Sequence, residues 1–176
     1  VSIVREKENG TMEVLLVSPF NPFLVIIAKA IPFLLLSIVN LSVILILSVT
    51  LLDMPINGSI SLLFAESILL IITALSLGLL ISNVAQSQQA AMLISLMGML
   101  VPTMLFTGFM FPIENMPVPL QVICNIIPAK WYYTIVKSIM IKGLGFSAIW
   151  KETLVLFGMT VFLLVVSFKK FKTRLV

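Results

Sequence analysis

Few side chains in this sequence have the chemistry of an enzyme site. The 176 residues contain no histidine and a single cysteine, Cys124, which excludes imidazole-based triads, an intrachain disulfide and most metal sites. The phosphate-binding pattern G-x-x-x-x-G-K-S/T does not occur, and neither do G-x-S-x-G and H-E-x-x-H. We therefore predict that the chain is not an enzyme and holds no cofactor or metal.

Glu66 is a carboxylate that lies near the end of a predicted membrane span. Carboxylates inside a membrane usually have a function in ion or proton movement. Glu66, however, lies within one turn of the predicted end of its apolar run. Its position favours a solvated side chain at the membrane interface over a proton or ion role, and both interpretations stay open.

The elements that position these residues must be membrane helices. The chain is 60% hydrophobic and 10% charged, with a mean hydropathy of +1.21, whereas about a quarter of the residues in a soluble domain are charged. So few charges cannot cover the surface of a soluble globule of this size. The composition therefore predicts an integral membrane protein that contacts the lipid bilayer.

Charged positions divide the apolar sequence into spans. The uncharged run between Glu66 and Glu114 has 47 residues, too long for one helical crossing, which needs about 20. The polar stretch 82–89 divides it into two. The whole pattern predicts an all-α protein with four transmembrane helices in a single transmembrane domain, at about 30–52, 62–82, 90–111 and 148–168.

The stretch 112–146 is apolar but interrupted by prolines and glycines, and its uncharged part is too short for a span. Trp131 next to Lys130 is typical of an anchor at the membrane interface. We predict two short helices, about 117–127 and 130–142, that dip into the membrane from one side. A loop lying flat on the surface remains the alternative. The candidate residues of this re-entrant region are Pro112, Glu114, Pro128 and Trp131.

The basic residues predict an orientation. With four crossings both ends lie on the same side, which would hold seven of the Lys and Arg residues, against four on the other side. Because basic residues are enriched on the cytoplasmic side, both ends are predicted to be cytoplasmic. Most of this signal comes from a tail that directly follows the last span, with the anchors Lys169, Lys170, Lys172 and Arg174.

The opening segment predicts a short amphipathic helix at about 11–17. Asn9-Gly10 is a turn signal, and Thr11 can cap the helix that follows. Such a helix is too short to be stable alone, so it must pack on its own protein or on a partner at the inner face. An interfacial helix that simply leads into a span is an equal alternative. Its apolar stripe and first-turn carboxylate are Met12, Glu13, Leu15 and Leu16.

Three motifs together carry a family resemblance. Residues 5–19 follow the pattern R-E-x-E-x-G-T-x-E-x-L-L-x-S-P. Residues 108–117 read G-F-M-F-P-I-E-N-M-P, and residues 127–132 read I-P-A-K-W-Y. In this order among four spans, they resemble the permease subunits of type-2 ABC exporters, over essentially the whole chain.

The resemblance implies a C-terminal fragment that holds the last four of six spans of a bacterial inner-membrane permease. The segment around Glu13 would be a coupling helix that docks into a separate ABC ATPase subunit. A second permease subunit would pair with this one, as a homo- or heterodimer. The re-entrant helices and the loop 53–58 would face outside, and the loop 86–89 would be cytoplasmic. The implied function is ATP-driven export, with no nucleic acid involved.

An ATPase-independent secondary transporter or membrane scaffold is the alternative from another class. Secondary transporters usually place ionisable groups at the membrane midplane between repeated halves. Here the centres of the spans carry no charge and no half repeats the other. An integral-membrane enzyme ranks third, because acids and histidines do not cluster. The sequence does not identify the substrate.

Overall fold

The computed structural model describes residues 4–5 and 22–173. The predicted coupling helix, with Met12, Glu13, Leu15 and Leu16, lies outside the described residues, and so does Arg174. Within the described ranges the regular structure is entirely helical. In chain order the helices are α1 (Pro22–Thr50), α2 (Ile60–Val84), α3 (Gln88–Phe106), α4 (Val118–Ile126), α5 (Pro128–Met140) and α6 (Phe146–Thr173).

Four of these helices are long and apolar enough to cross a membrane, which confirms the prediction of an all-α protein with four such helices. The spanning stretches are Ile27–Thr50, Ile60–Val84, Gln88–Phe106 and Phe146–Ser167. Charged residues do not end the helices: Lys29 lies within α1, and α6 continues past Lys169. A helix that leaves the bilayer keeps its internal hydrogen bonds in water, and long basic side chains reach the headgroups.

Serine side chains begin two of the spans. The Ser59 hydroxyl accepts a hydrogen bond from the backbone N–H of Leu62, and the Ser87 hydroxyl accepts one from that of Ala90. Each of these N–H groups would otherwise lack a partner in the first turn of the helix. The polar stretch that was expected to divide the long apolar run therefore starts α3 at Gln88.

Helix α3 is irregular in its second half. Its turn Leu96–Leu100 has π-helical geometry, and Pro102, which has no backbone N–H to donate, follows directly. The helix ends at Phe106, before the boundary near 111 that hydropathy predicts. The reason is local, because Gly108 has a φ of +88°, a left-handed conformation that glycine adopts readily and that commonly terminates helices.

Helices α2, α5 and α6 pack together and form the core of the described part of the chain. We call these three helices the central unit. The contact between α2 and α6 is the most extensive of any helix pair, and α5 packs on both. Helices α1 and α3 are attached at the periphery. The buried apolar residues of the central unit are Leu63, Ile135, Ile139, Met140, Ile149 and Leu156.

The loop between α1 and α2 is bound to the C-terminal end of α5. The backbone N–H of Asn57 donates to the carbonyl of Met140, and Asn57 Nδ2 donates to the carbonyl of Ile141, each over 3.1 Å. A Cβ at Gly58 would lie 2.6 Å from the carbonyl oxygen of Ile139, so this approach requires glycine. The loop and the end of α5 therefore lie on one side of the molecule.

The opposite end of α2 contacts the beginning of the chain. Val4 is fully buried and clusters with Ala85 and Ala91, at the turn that joins α2 to α3. Asn83 Nδ2, on the last turn of α2, donates to the carbonyl of Ser167 near the end of α6. Val4, the α2–α3 turn and the end of α6 therefore share the side opposite the α1–α2 loop.

Candidate functional site

A row of polar side chains joins α2 to α6 inside the apolar core. The contacts occur in the same order along both helices, so the two helices run parallel. We call the six residues that make these contacts the polar seam: Glu66, Thr73 and Asn83 on α2, and Thr153, Thr160 and Ser167 on α6. Its three hydrogen bonds are Thr153 Oγ1 to Glu66 Oε1 at 2.7 Å, Thr73 Oγ1 with Thr160 Oγ1 at 2.6 Å, and Asn83 Nδ2 to the carbonyl of Ser167 at 3.1 Å.

The polar seam has a signal in the sequence that our sequence analysis missed. Thr153, Thr160 and Ser167 are each seven residues apart, which is close to two helical turns and places them on one face of α6. Small polar side chains at this spacing are typical of contacts between helices in membranes. The partner residues on α2 could not be identified from this spacing alone.

Glu66 is buried, and its predicted place as a solvated residue at the interface is wrong. Its side chain is 4% exposed. One carboxylate oxygen accepts the Thr153 hydrogen bond, and the other, Oε2, is buried with no hydrogen-bond partner among the described residues. The error arises because α6, from a distant part of the sequence, covers the first turns of α2.

A hydroxyl pair next to Glu66 joins α5 to α2. The Ser67 hydroxyl donates to the carbonyl of Leu63, so its single hydrogen is used and the Tyr132 hydroxyl, 2.7 Å away, donates to Ser67. Ser67 follows Glu66 directly in α2, so this hydrogen bond holds α5 beside the buried carboxylate.

Helices α4 and α5 form a hairpin with a tight turn at Ile127. Two polar contacts close the turn, since Trp131 Nε1 donates to the carbonyl of Asn125 over 3.0 Å and Lys130 Nζ donates to Asn125 Oδ1. The Lys130 ammonium also lies 4.9 Å from the centre of the Trp131 ring. Pro128 begins α5, where its missing N–H costs no hydrogen bond. Trp131 thus satisfies a carbonyl at the end of α4.

The hairpin turn borders a cavity of about 340 Å³ at the middle of α2. Helix α2 contributes Leu70, Thr73, Ala74 and Leu77, and residues 126–129 of the hairpin form a second wall. The third wall is the irregular half of α3, with Gly98, Met99, Pro102 and Thr103. The residues that line the cavity carry no charged side chain, and most of its surface is carbon.

The four candidate residues of the stretch 112–146 fall in two places. Pro128 and Trp131 lie together at the hairpin turn, and Pro128 lines the cavity. Pro112 and Glu114 lie in the segment between α3 and α4, where Glu114 is exposed on a short 3₁₀ turn, Ile113–Asn115. Pro112 lines a second cavity, of about 310 Å³, beside Phe106 at the end of α3.

The basic tail continues helix α6. Lys169 is exposed, and the backbone of Lys170 and Lys172 is helical. Among the described residues, no group of three or more His, Cys, Asp or Glu side chains could hold a metal ion. The cavities and contacts described above consist of apolar walls and isolated polar hydrogen bonds.

Comparison with known proteins gives a consistent result. The model of the family described as "ABC-2 family transporter protein" matches residues 1–169 of this chain. The "Probable multidrug ABC transporter permease YbhR" of Escherichia coli K12 is 32% identical over 152 residues, which are 86% of this chain and 41% of that protein. YbhS, with the same description, is 32% identical over 141 residues, 80% of this chain and 37% of that protein.

A eukaryotic relative matches over a longer stretch. The "ABC transporter G family member 20" of Dictyostelium discoideum is 29% identical over 169 residues, which are 95% of this chain and 23% of that protein. No solved structure matches the chain. The chain spans well under half the length of these relatives.

Proposed function

Because the chain belongs to the ABC-2 family of transporter proteins, we propose that it is the transmembrane permease part of an ATP-driven exporter that moves a substrate out of the cytoplasm. One observation carries the proposal: the family match covers residues 1–169, the same stretch that holds the four apolar spanning helices. The bacterial relatives are described as multidrug transporter permeases. The multi-pass location in a bacterial inner membrane rests on the same relatives.

The energy source is a separate ABC ATPase subunit in this proposal. The chain has no phosphate-binding motif, so nucleotide would be bound by the partner. The apolar stripe Met12, Leu15 and Leu16, with Glu13, would dock into that partner. Support comes from Val4, which packs at the α2–α3 turn, on the side where α6 and its basic residues end. That side would be cytoplasmic, because basic residues are enriched there.

The α4–α5 hairpin would be re-entrant from the outer side. Its outer attachment is the pair of hydrogen bonds from Asn57 to the end of α5. Its turn, residues 126–129, borders the same cavity as Leu70 and Leu77 at the middle of α2. This depth supports the re-entrant hairpin over a loop lying flat on the surface. The Trp131 hydrogen bond also satisfies a carbonyl that would otherwise lie unpaired in an apolar environment.

A second permease subunit would complete the transporter. Helices α1 and α3 expose many large apolar side chains, which lipid and a second subunit would cover. An ATPase-independent secondary transporter or scaffold is not favoured, because the family and its described relatives are ABC transporter permeases.

The test uses the full-length protein coexpressed with the ATPase encoded beside it. The double variant Leu15→Asp and Leu16→Asp should weaken assembly by about 30-fold or more, since replacing central interface residues costs about 2 kcal/mol or more. Copurification and ATP hydrolysis in membranes would measure the effect.

A matched control is Leu51→Asp with Leu52→Asp, two exposed leucines in the α1–α2 loop on the opposite side. This pair should assemble normally. Unchanged assembly of the Leu15 and Leu16 variant would show that the coupling assignment is wrong. Failure of the unsubstituted protein to associate with any ATPase would contradict the export function itself.

A further inference from the structure

The cavity between α2, α3 and the hairpin turn has the size and lining of a binding site. Its volume of about 340 Å³ falls at the lower end of the range for small-molecule pockets, about 300–1,000 Å³. Its walls come from three elements that are distant in the sequence. A few hydroxyl groups interrupt the apolar lining, as in sites that orient an apolar ligand.

The wall contributed by α3 contains a glycine in an irregular turn. Gly98 lies within the π turn Leu96–Leu100, and Pro102 follows it. A Cβ at Gly98 would meet no atom within 4 Å, so neither close packing nor an unusual φ requires glycine here. Gly98 also lines the cavity, so it contributes no side chain to this wall. Single π turns inside α-helices frequently occur at functional sites.

The lining also limits the chemistry of the ligand. Because no charged side chain lines the cavity, a charged group buried there would lose its hydration with no compensating partner. Thr73 already bonds to Thr160, which leaves Thr103 as the hydroxyl least committed to other helices. The level of the cavity, at the middle of α2, lies in the hydrocarbon region of a bilayer, which suits a membrane-soluble ligand.

We propose that this cavity binds the apolar part of an uncharged, membrane-soluble substrate before export. The inference rests on the proposed permease function and adds to it a place and a substrate class. A lipid acyl chain has related chemistry, but the cavity is compact and bounded by three elements. A small substrate is therefore the occupant to which the inference commits.

The test is photolabelling of the full-length protein with its ATPase in nanodiscs. One probe is an uncharged naphthalene that bears a diazirine, and the other is phosphatidylcholine with a diazirine in its acyl chain. The naphthalene probe should label Met99 and Ile127, and excess unlabelled naphthalene should prevent this. The lipid probe should label outward-facing residues such as Leu36 and Leu154, which are exposed, and not the cavity.

A matched pair of glycine variants tests whether labelling of Met99 and Ile127 by the naphthalene probe depends on the cavity. Gly98→Leu should lower naphthalene labelling of Met99 and Ile127 by about tenfold or more, equivalent to about 1.4 kcal/mol. Gly158→Leu should leave it unchanged, because Gly158 is also an exposed glycine in a span with no atom within 4 Å of an added Cβ. Both variants should still copurify with the ATPase, which shows that the complex assembles, and Gly158→Leu should keep its basal ATP hydrolysis.

Four outcomes would overturn the inference. Labelling that survives Gly98→Leu, or that Gly158→Leu lowers equally, would place the probe elsewhere. Equal labelling of the cavity by the lipid probe would make it a lipid site. If any of these three occurs in a complex that still exports and hydrolyses ATP, only the cavity inference fails. If the cavity is labelled in a protein that assembles with no ATPase, the export function fails and the inference fails with it.

Discussion

The central unit and the peripheral helices α1 and α3 are built from similarly apolar sequence but pack very differently. Among the four spanning helices α1 has the highest mean hydropathy, 2.6, and none of its most apolar stretch is buried. The most apolar stretch of α2 has a mean hydropathy of 2.3, and 22% of it is buried. Because lipid is as apolar as leucine, hydropathy gives no preference for protein over lipid contact. Small and polar side chains such as Thr73 and Thr160 mark the packed faces instead.

The central unit and the peripheral helices also differ in how firmly their helices are held by hydrogen bonds. The polar seam holds α2 and α6 in register, and α5 is bonded to α2 through Tyr132 and Ser67. Helix α3 has a π turn and a proline, and its side chains are mostly exposed. If this comparison is correct, equivalent substitutions will cost far more in the central unit than in α1 or α3.

The largest difference is expected for two leucine truncations. Leu156 is fully buried in the central unit, and Leu96 is 54% exposed on α3. Leu156→Ala should lower the free energy of unfolding by about 2–5 kcal/mol through lost packing and an internal cavity. Leu96→Ala should change it by less than about 0.5 kcal/mol. Unfolding of the full-length protein in bicelles measures both, and equal losses would remove the distinction between the two regions.

A smaller difference is expected for two glycine substitutions. Gly58→Ala would place a Cβ against the backbone of Ile139, and the loop must shift, at a cost of about 1–3 kcal/mol. Gly98→Ala meets no atom within 4 Å and gains about 0.5–1 kcal/mol in helix propensity. The midpoint of thermal unfolding should therefore move in opposite directions. A fall for Gly98→Ala as large as that for Gly58→Ala would contradict the assignment of α3 as peripheral.

The smallest difference concerns one hydrogen bond of the polar seam. Thr160 and Thr50 can each donate to a carbonyl of their own helix, but only Thr160 also bonds to another helix, through Thr73. Thr160→Val should cost about 0.6 kcal/mol and at most about 1.7 kcal/mol, the range for hydrogen bonds between membrane helices. Thr50→Val should be neutral, and the double variant with Thr73→Val should add little to Thr160→Val. Additive losses in this cycle would show that the two hydroxyls are not coupled.

Composition and charge spacing were sufficient to predict the four spans, because length and hydropathy alone decide whether a helix can cross. They did not locate the end of α3, which depends on the left-handed backbone of Gly108. The prolines predicted two short helices, the second starting at about residue 130. In the structure Pro128 is itself the first residue of this second helix, α5. Because a proline is compatible with the first turn of a helix, its position locates a helix boundary only to within a few residues.

The residues of the candidate site were harder to predict. Glu66 was assigned to solvent because its distance from the span end is a local property, whereas its partner, Thr153, is 87 residues away. The cavity depends on three separate elements, so no single stretch of sequence carries its signal. Only the spacing of Thr153, Thr160 and Ser167 was available in the sequence as a mark of the packed face of α6.

The parallel course of α2 and α6 also limits the number of membrane crossings between them. Two parallel helices must be separated by an odd number of crossings, and α3 supplies one, so the segment from 107 to 145 must contribute an even number. Helix α4, with nine residues, extends about 13 Å and cannot cross a bilayer. That even number is therefore zero. The hairpin can change in length or sequence without inverting the last span or its basic tail.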